Sequence, residues 1–173
     1  CARGAPPSTP AALPTGVSTF LLTDIVGSTR IWEHEPEAMG TALGQHDVIM
    51  RDSVAAHGGV LLKARGEGDS TFSVFTRASD AAATILFARR ALHRAHWPTS
   101  EPLSVRMVLH TGEALERDCD YYGRTVNRAA RLRSIVECHR PLASAATHTL
   151  LSDGPPHGKH LLHLALREPR RPA

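Results

Sequence analysis

The sequence predicts a single α+β domain in which helices cover a mostly antiparallel sheet. Three observations carry this. Short runs rich in Val, Leu and Phe alternate with longer stretches of helical apolar spacing. Two neighbouring runs are joined by the short Gly-rich segment KARGEGDS, a hairpin signal. The 173 residues, 42% hydrophobic and 21% charged, suffice for one ordinary core. The predicted order is β-α-α-β-β-α-β followed by a further helix and short strands, which fits helices layered on a sheet.

Residues 1–16, CARGAPPSTPAALPTG, are rich in Pro, Ala, Ser and Thr and read as a linker or tail. The domain is expected over residues 17–167, and residues 168–173 read as a second tail. Val17 to Thr23 reads as the first strand. Ser28 and Thr29 are candidate caps for a short helix, and Pro36 suits the first turn of a second. That second helix runs through Met39, Leu43, Val48, Ile49 and Val54 and stops at Gly58-Gly59. Val60 to Ala64 and Thr71 to Phe75 read as strands on either side of the hairpin. Ser79 to His96 is helical, with Ala82, Ile85, Leu86, Arg89 and Leu92 on one face, and Trp97-Pro98 ends it. Leu103 to His110 reads as a central strand and Thr125 to Val136 as a helix. Leu142-Ala143 and Leu161 to Leu166 are short strand candidates. No internal repeat is visible.

Composition removes several classes of function. No apolar run approaches the roughly 20 residues of a membrane helix. The first residue is not Met and no leader peptide is recognisable, so the chain is expected to be a piece of a longer protein with other domains attached. Cys1, Cys119 and Cys138 form no CxxC pair, which argues against a zinc site or disulfide framework and fits a reducing, cytoplasmic setting. The net charge is only +3 although the pI is about 9.1. The arginines are scattered, so no specific nucleic-acid site is expected. HExxH, GxxxxGK[ST] and GxSxG motifs are absent.

Four places offer chemistry. FLLTDIVGST ends an apolar strand on Asp24 and then turns through Gly27, Ser28 and Thr29. An Asp there also suits a turn or cap. If the first strand neighbours the hairpin, however, Asp24 and Asp69 meet at one sheet edge. Two carboxylates with oxygen ligands only suit Mg²⁺ or Mn²⁺ bound together with phosphates. In DYYGRTVNRAARL, Asn127 and Arg131 lie four apart and share a helix face. The plain alternative is a solvated polar stripe. The functional alternative is an amide and a guanidinium aimed at one spot, where Arg stabilises charge on a phosphoryl oxygen. In HTGE, His110 sits at a strand end and more often packs than ligates.

Taken together and in order, these stretches resemble the catalytic domain of class III nucleotidyl cyclases, the adenylyl/guanylyl cyclase homology domain. FLLTDIVGST is similar to the family's first metal motif, with Asp24 as ligand, and GEGDSTFSVF to the second, with Asp69. HGGVLLK puts Lys63 at the purine-reading lysine. DYYGRTVNRAARL puts Asp120 at the purine-reading acid, Asn127 at the ribose-orienting position and Arg131 at the transition-state position. The resemblance spans about Val17 to Leu166. It implies a ferredoxin-like sandwich core and a head-to-tail homodimer with active sites in the interface. It further implies two metals, Mg²⁺ or Mn²⁺, per site on Asp24 and Asp69, with the carbonyl of Ile25 as an added ligand. Lys63, Asp120, Asn127 and Arg131 would come from the other chain. The turn from Val26 through Gly27, Ser28 and Thr29 would offer backbone N–H groups to phosphates. Lys159 is a candidate for the polyphosphate. The implied activity is that of a phosphorus–oxygen lyase, an adenylate cyclase making cyclic AMP and pyrophosphate from ATP.

The base follows from hydrogen-bond complementarity. Adenine offers an acceptor at N1 and a donor at N6, a lysine donates and a carboxylate accepts. Lys63 with Asp120 therefore complements adenine, whereas guanine reverses the pattern. One departure stands out. The family's lysine and metal aspartate are usually four apart, but here Lys63 and Asp69 are six apart. A two-residue hairpin extension keeps the strand faces unchanged. It also admits Arg65 as the base-reading donor and Glu67 as the second carboxylate. Two other classes compete with an active cyclase: a degenerate cyclase-like domain that binds nucleotide or only dimerises, and a ferredoxin-like RNA-binding module. The second of these wants exposed aromatics on its sheet, and only 5% of this chain is aromatic.

Overall fold

A computed structural model describes residues 13–62, 68–136 and 140–154. The elements are β1 (Gly16–Ile25), α1 (Ser28–His34), α2 (Pro36–Ala56), β2 (Val60–Leu62), β3 (Ser70–Phe75), α3 (Ala78–Arg94), β4 (Val105–Arg117), β5 (Asp120–Tyr122), α4 (Arg124–Ser134), β6 (Leu142–Ala143) and α5 (Ala145–Asp153). The strands run in the order β2-β3-β1-β4-β5, all antiparallel, with β6 parallel to β4. This is the α+β sandwich the sequence predicts. The predicted strand 161–166 lies outside the described residues.

β1 is covered on both faces, which is why FLL reads as an unbroken apolar run. Leu21 points with Phe75, Met107 and Leu109 into a core closed by Met50 and Val54 of α2 and Ile85 of α3. Phe20, Leu22 and Val74 point the other way, to Tyr121 and to Ala129 of α4. There Phe20 stacks on Phe72 with ring centroids 5.5 Å apart and meets Tyr121 edge-on at 5.1 Å.

β4 runs seven residues past the predicted end at His110. The strand continues through Gly112. This glycine marks a close approach, because a Cβ there would lie 2.9 Å from Thr125 Cγ2 on α4. The two-residue turn Asp118-Cys119, both with positive φ, then reverses the chain into β5, a strand the sequence did not announce. α5 was also unannounced. Ser144 caps it by accepting the Thr147 N–H, and a buried hydroxyl chain of Thr19, Thr111 and Thr147 with spacings of 2.9 Å ties it to the sheet. Ser28 and Thr29 lie inside the first turn of α1 and do not cap it. The N-cap is Gly27, at φ 68, a left-handed conformation that suits glycine. Among the described residues no helix is long and apolar enough to cross a membrane.

His46 of α2 is fully buried. Its Nδ1–H donates to the Asp47 carboxylate at 3.0 Å, since a carboxylate only accepts, and Nε2 has no partner. Burial holds this imidazole below the ordinary value of 6.5, against the pull of Asp47. Burial first, and Arg128 second, also lower His110. A histidine whose folded pKa is depressed contributes its stability above the unfolded pKa and loses it as pH falls below that value. The urea midpoint is therefore expected to drop between about pH 7.5 and about pH 5.5. In His46→Leu that drop should be shallower, and an unchanged slope would remove His46 from the account.

Candidate active site

The register places the first aspartate. Asp24 pairs with Ser70 of β3 on one side and with Arg106 of β4 on the other. Directly paired residues point to the same face, so all three face α4. Asp69 immediately precedes Ser70, which brings both aspartates to one corner of the sheet, and each is only 8% exposed. The topology that the sequence required for their meeting, β1 beside the hairpin, is present.

Both Asp24 oxygens are engaged by one guanidinium. Arg106 Nε donates to Oδ1 at 3.1 Å and Nη2 donates to Oδ2. This partner was missed in the sequence. The available signal was an arginine inside the otherwise apolar strand VRMVLH, but its register against Asp24 is a tertiary fact.

After the strand, Ile25 is buried among Met39, Ala42 and Leu103, which fixes the backbone at the corner. The Val26 N–H is taken by the Ser104 carbonyl at 2.8 Å, so this amide is not open to a phosphate. The first bond within α1 runs from the Ile31 N–H to the Gly27 carbonyl. The amides of Ser28 and Thr29 therefore precede the helical ladder, as first-turn donors do.

The second group gathers on β5 and α4. Asp120 and Asn127 line one cavity of about 370 Å³ with Ser70, Phe72, Tyr122 and Arg133. Asp120 is half-buried and accepts the Tyr121 N–H at 2.7 Å. Because Ser70 is also the register partner of Asp24, the cavity and the acidic corner share a wall. Arg131 lies one turn beyond Asn127 on α4, is exposed, and is not part of the cavity lining. Lys63, Arg65, Glu67 and Lys159 lie outside the described residues.

The donor set at the corner is oxygen only, which suits a hard divalent cation. Among the described residues no three His, Cys, Asp or Glu side chains cluster as a metal cage. Two carboxylates fit a site that phosphate and water oxygens complete, and a cation arriving at Asp24 would compete with Arg106.

The antiparallel sheet thus carries a corner with two aspartates and an adjoining cavity lined by an acid and an amide. Comparison with known proteins identifies the family. The family model described as the adenylate and guanylate cyclase catalytic domain matches residues 12–163. The chain belongs to that family. It is 41% identical over 158 residues to an uncharacterized protein of Mycobacterium tuberculosis, covering 91% of this chain and 53% of that one. It is 34% identical to an adenylate cyclase of Neurospora crassa, covering 76% of this chain and 7% of that one. The chain thus spans about half the length, or much less, of these curated relatives. Its fold matches an adenylate cyclase structure from Trypanosoma brucei with a TM-score of 0.75 at 22% identity, covering 88% of this chain and 83% of that one.

Proposed function

We propose that the domain is an adenylyl cyclase that converts ATP to 3′,5′-cyclic AMP and pyrophosphate at a head-to-tail homodimer interface. The observation that carries this is that one chain bears both halves of a site, an aspartate corner with Asp24 and Asp69 and a cavity with Asp120 and Asn127. In a head-to-tail pair the corner of one chain would face the cavity of its partner, so that base and ribose are held by one chain and the metal-bound phosphates by the other.

In the reaction the ribose 3′-oxygen attacks the α-phosphorus, the bond from that phosphorus to the α,β-bridging oxygen breaks, and pyrophosphate leaves with the electron pair. The 3′-hydroxyl proton passes to solvent water. Two Mg²⁺ or Mn²⁺ ions on Asp24 and Asp69 would supply positive charge to the phosphates and activate the 3′-oxygen. Asn127 orients the ribose, and Arg131 donates to phosphoryl oxygens as charge builds on them. Asp120 accepts from adenine N6 while Lys63 donates to N1. GTP would leave buried donors and acceptors unpaired, costing about 1–3 kcal/mol each.

The engagement of both Asp24 oxygens by Arg106 favours a second reading, a degenerate domain that binds nucleotide without turnover. One experiment separates the two. Cyclic AMP formation is measured from ATP with Mn²⁺ or Mg²⁺ over a range of protein concentrations, with GTP as competitor. Turnover is expected to rise faster than linearly with protein and to favour ATP. ATP binding with no turnover at any concentration selects the degenerate reading, and equal turnover of GTP removes the adenine assignment.

A further inference from the structure

Helix α4 carries four arginines: Arg124, Arg128, Arg131 and Arg133. Three are exposed, as charged residues on a basic helix ordinarily are. Arg133 differs in three respects. It is half-buried. It lines the cavity that holds Asp120 and Asn127, and it is the one α4 arginine that does so. Its side chain has no hydrogen-bond or ion-pair partner among the described residues.

The helix geometry explains the placement. Val126, Ala130 and Arg133 fall at i, i+4 and i+7, the spacing of a single helix face, with Asn127 at the edge of that face. All three line the cavity, Val126 partly buried against the cluster that holds Phe20 and Tyr121, Ala130 exposed and Arg133 half-buried. The opposite wall is Leu22, Phe72 and Ser70 from β1 and β3, which offers no carboxylate. Asp120 is the one described carboxylate lining the cavity, and no ion pair joins it to Arg133.

A guanidinium half-buried at this cavity gives up part of its water without a hydrogen bond to a described protein acceptor in return. An arginine in that position is complementary to a ligand that brings acceptors. We infer that Arg133 is a further nucleotide-binding residue, donating to acceptor atoms of the nucleoside half of the bound substrate. This rests on the cyclase reading of the cavity and adds to it a residue that acts in binding, where Arg131 acts on the reacting phosphate. Arg133 holds the substrate equally in the ground state and the transition state. Its loss therefore raises KM and leaves kcat in place.

The test uses α,β-methylene-ATP with Mg²⁺, an analogue that cannot release pyrophosphate, titrated calorimetrically into the full chain. Arg133→Ala is expected to weaken binding about tenfold, the loss of one charge-assisted hydrogen bond. KM for ATP should rise by a similar factor with kcat at saturation unchanged. Arg133→Lys, which keeps the charge and loses the fork, should fall between the two. Arg128→Ala, on the exposed side of the same helix, should bind as the wild type does. Equal binding by wild type and Arg133→Ala overturns the inference while leaving the cyclase reading intact. A fall in kcat with unchanged binding overturns it too, since Arg133 would then act on the chemical step. A wild-type protein that binds no analogue, yet melts cooperatively, overturns the cyclase reading of the cavity and this inference with it.

Discussion

Asp24→Ala is expected to lower cyclic AMP formation by at least about a thousandfold, a loss of about 4 kcal/mol in transition-state stabilisation. Two effects reinforce each other in this variant. The corner loses half of its carboxylate charge, and Arg106 loses both acceptors for its forked donors. The second effect also acts on the fold. Removing the carboxylate that accepts from this largely buried guanidinium costs about 1–3 kcal/mol, so a lower urea midpoint accompanies the lost activity. Asp24→Asn separates the two contributions. The amide oxygen still accepts from Arg106, so most of the stability returns, but the negative charge does not. The asparagine variant should be nearly as inactive as the alanine variant and markedly more stable. An asparagine variant with wild-type turnover would show that the carboxylate does no more than hold Arg106.

The largest effect on stability is expected at Gly59. A Cβ on this residue would sit 2.3 Å from Cε1 and 2.6 Å from Cζ of Phe75, far inside van der Waals contact. The ring cannot retreat, because Phe75 is fully buried among Leu21, Val54 and Ile85. Gly59→Ala should therefore cost about 3 kcal/mol as the overpacked ring and the start of β2 are pushed apart. Phe75→Leu alone opens a cavity and destabilises, but combined with Gly59→Ala it vacates the space the new methyl needs. The double variant should be more stable than the sum of the single effects. Additive urea midpoints, or a Gly59→Ala variant as stable as the wild type, would mean the backbone shifts freely there.

Most of the architecture was legible from short-range patterns. Apolar spacing located α2 and α3, Pro36 marked the α2 start, and the doubly covered strand FLL was visible as a run. The errors have a common physical origin. The strand was ended at His110, whereas β4 continues through Gly112, where the lack of a Cβ lets α4 come close, and a contact between distant segments leaves no local mark. β5 is three residues long and is held by pairing with β4 and by the Tyr121 ring, which meets both Phe20 and Phe72 edge-on. α5 has mixed Thr and Ser content, and the hydroxyl chain to Thr19 and Thr111 anchors it. At the site, Asp24, Asp120 and Asn127 were visible because each sits in a long distinctive motif. Arg106 and Arg133 were not, because a single arginine carries no signal until register and helix phase give it a neighbour.

The strand order has a consequence for how the chain comes into being. β1 is central and is synthesised well before either of its two partners. Thr23 meets Thr71 across 48 positions, and Asp24 meets Arg106 across 82. Until β4 is synthesised, one edge of the most apolar strand has nothing to pair with, and α2 and α3 can shelter only one of its faces. Such long-range antiparallel pairing folds slowly and leaves sticky intermediates on the way. During synthesis the stretch from β1 to α3 is therefore expected to be a chaperone client, and a chain truncated before β4 should aggregate where the whole domain stays in solution.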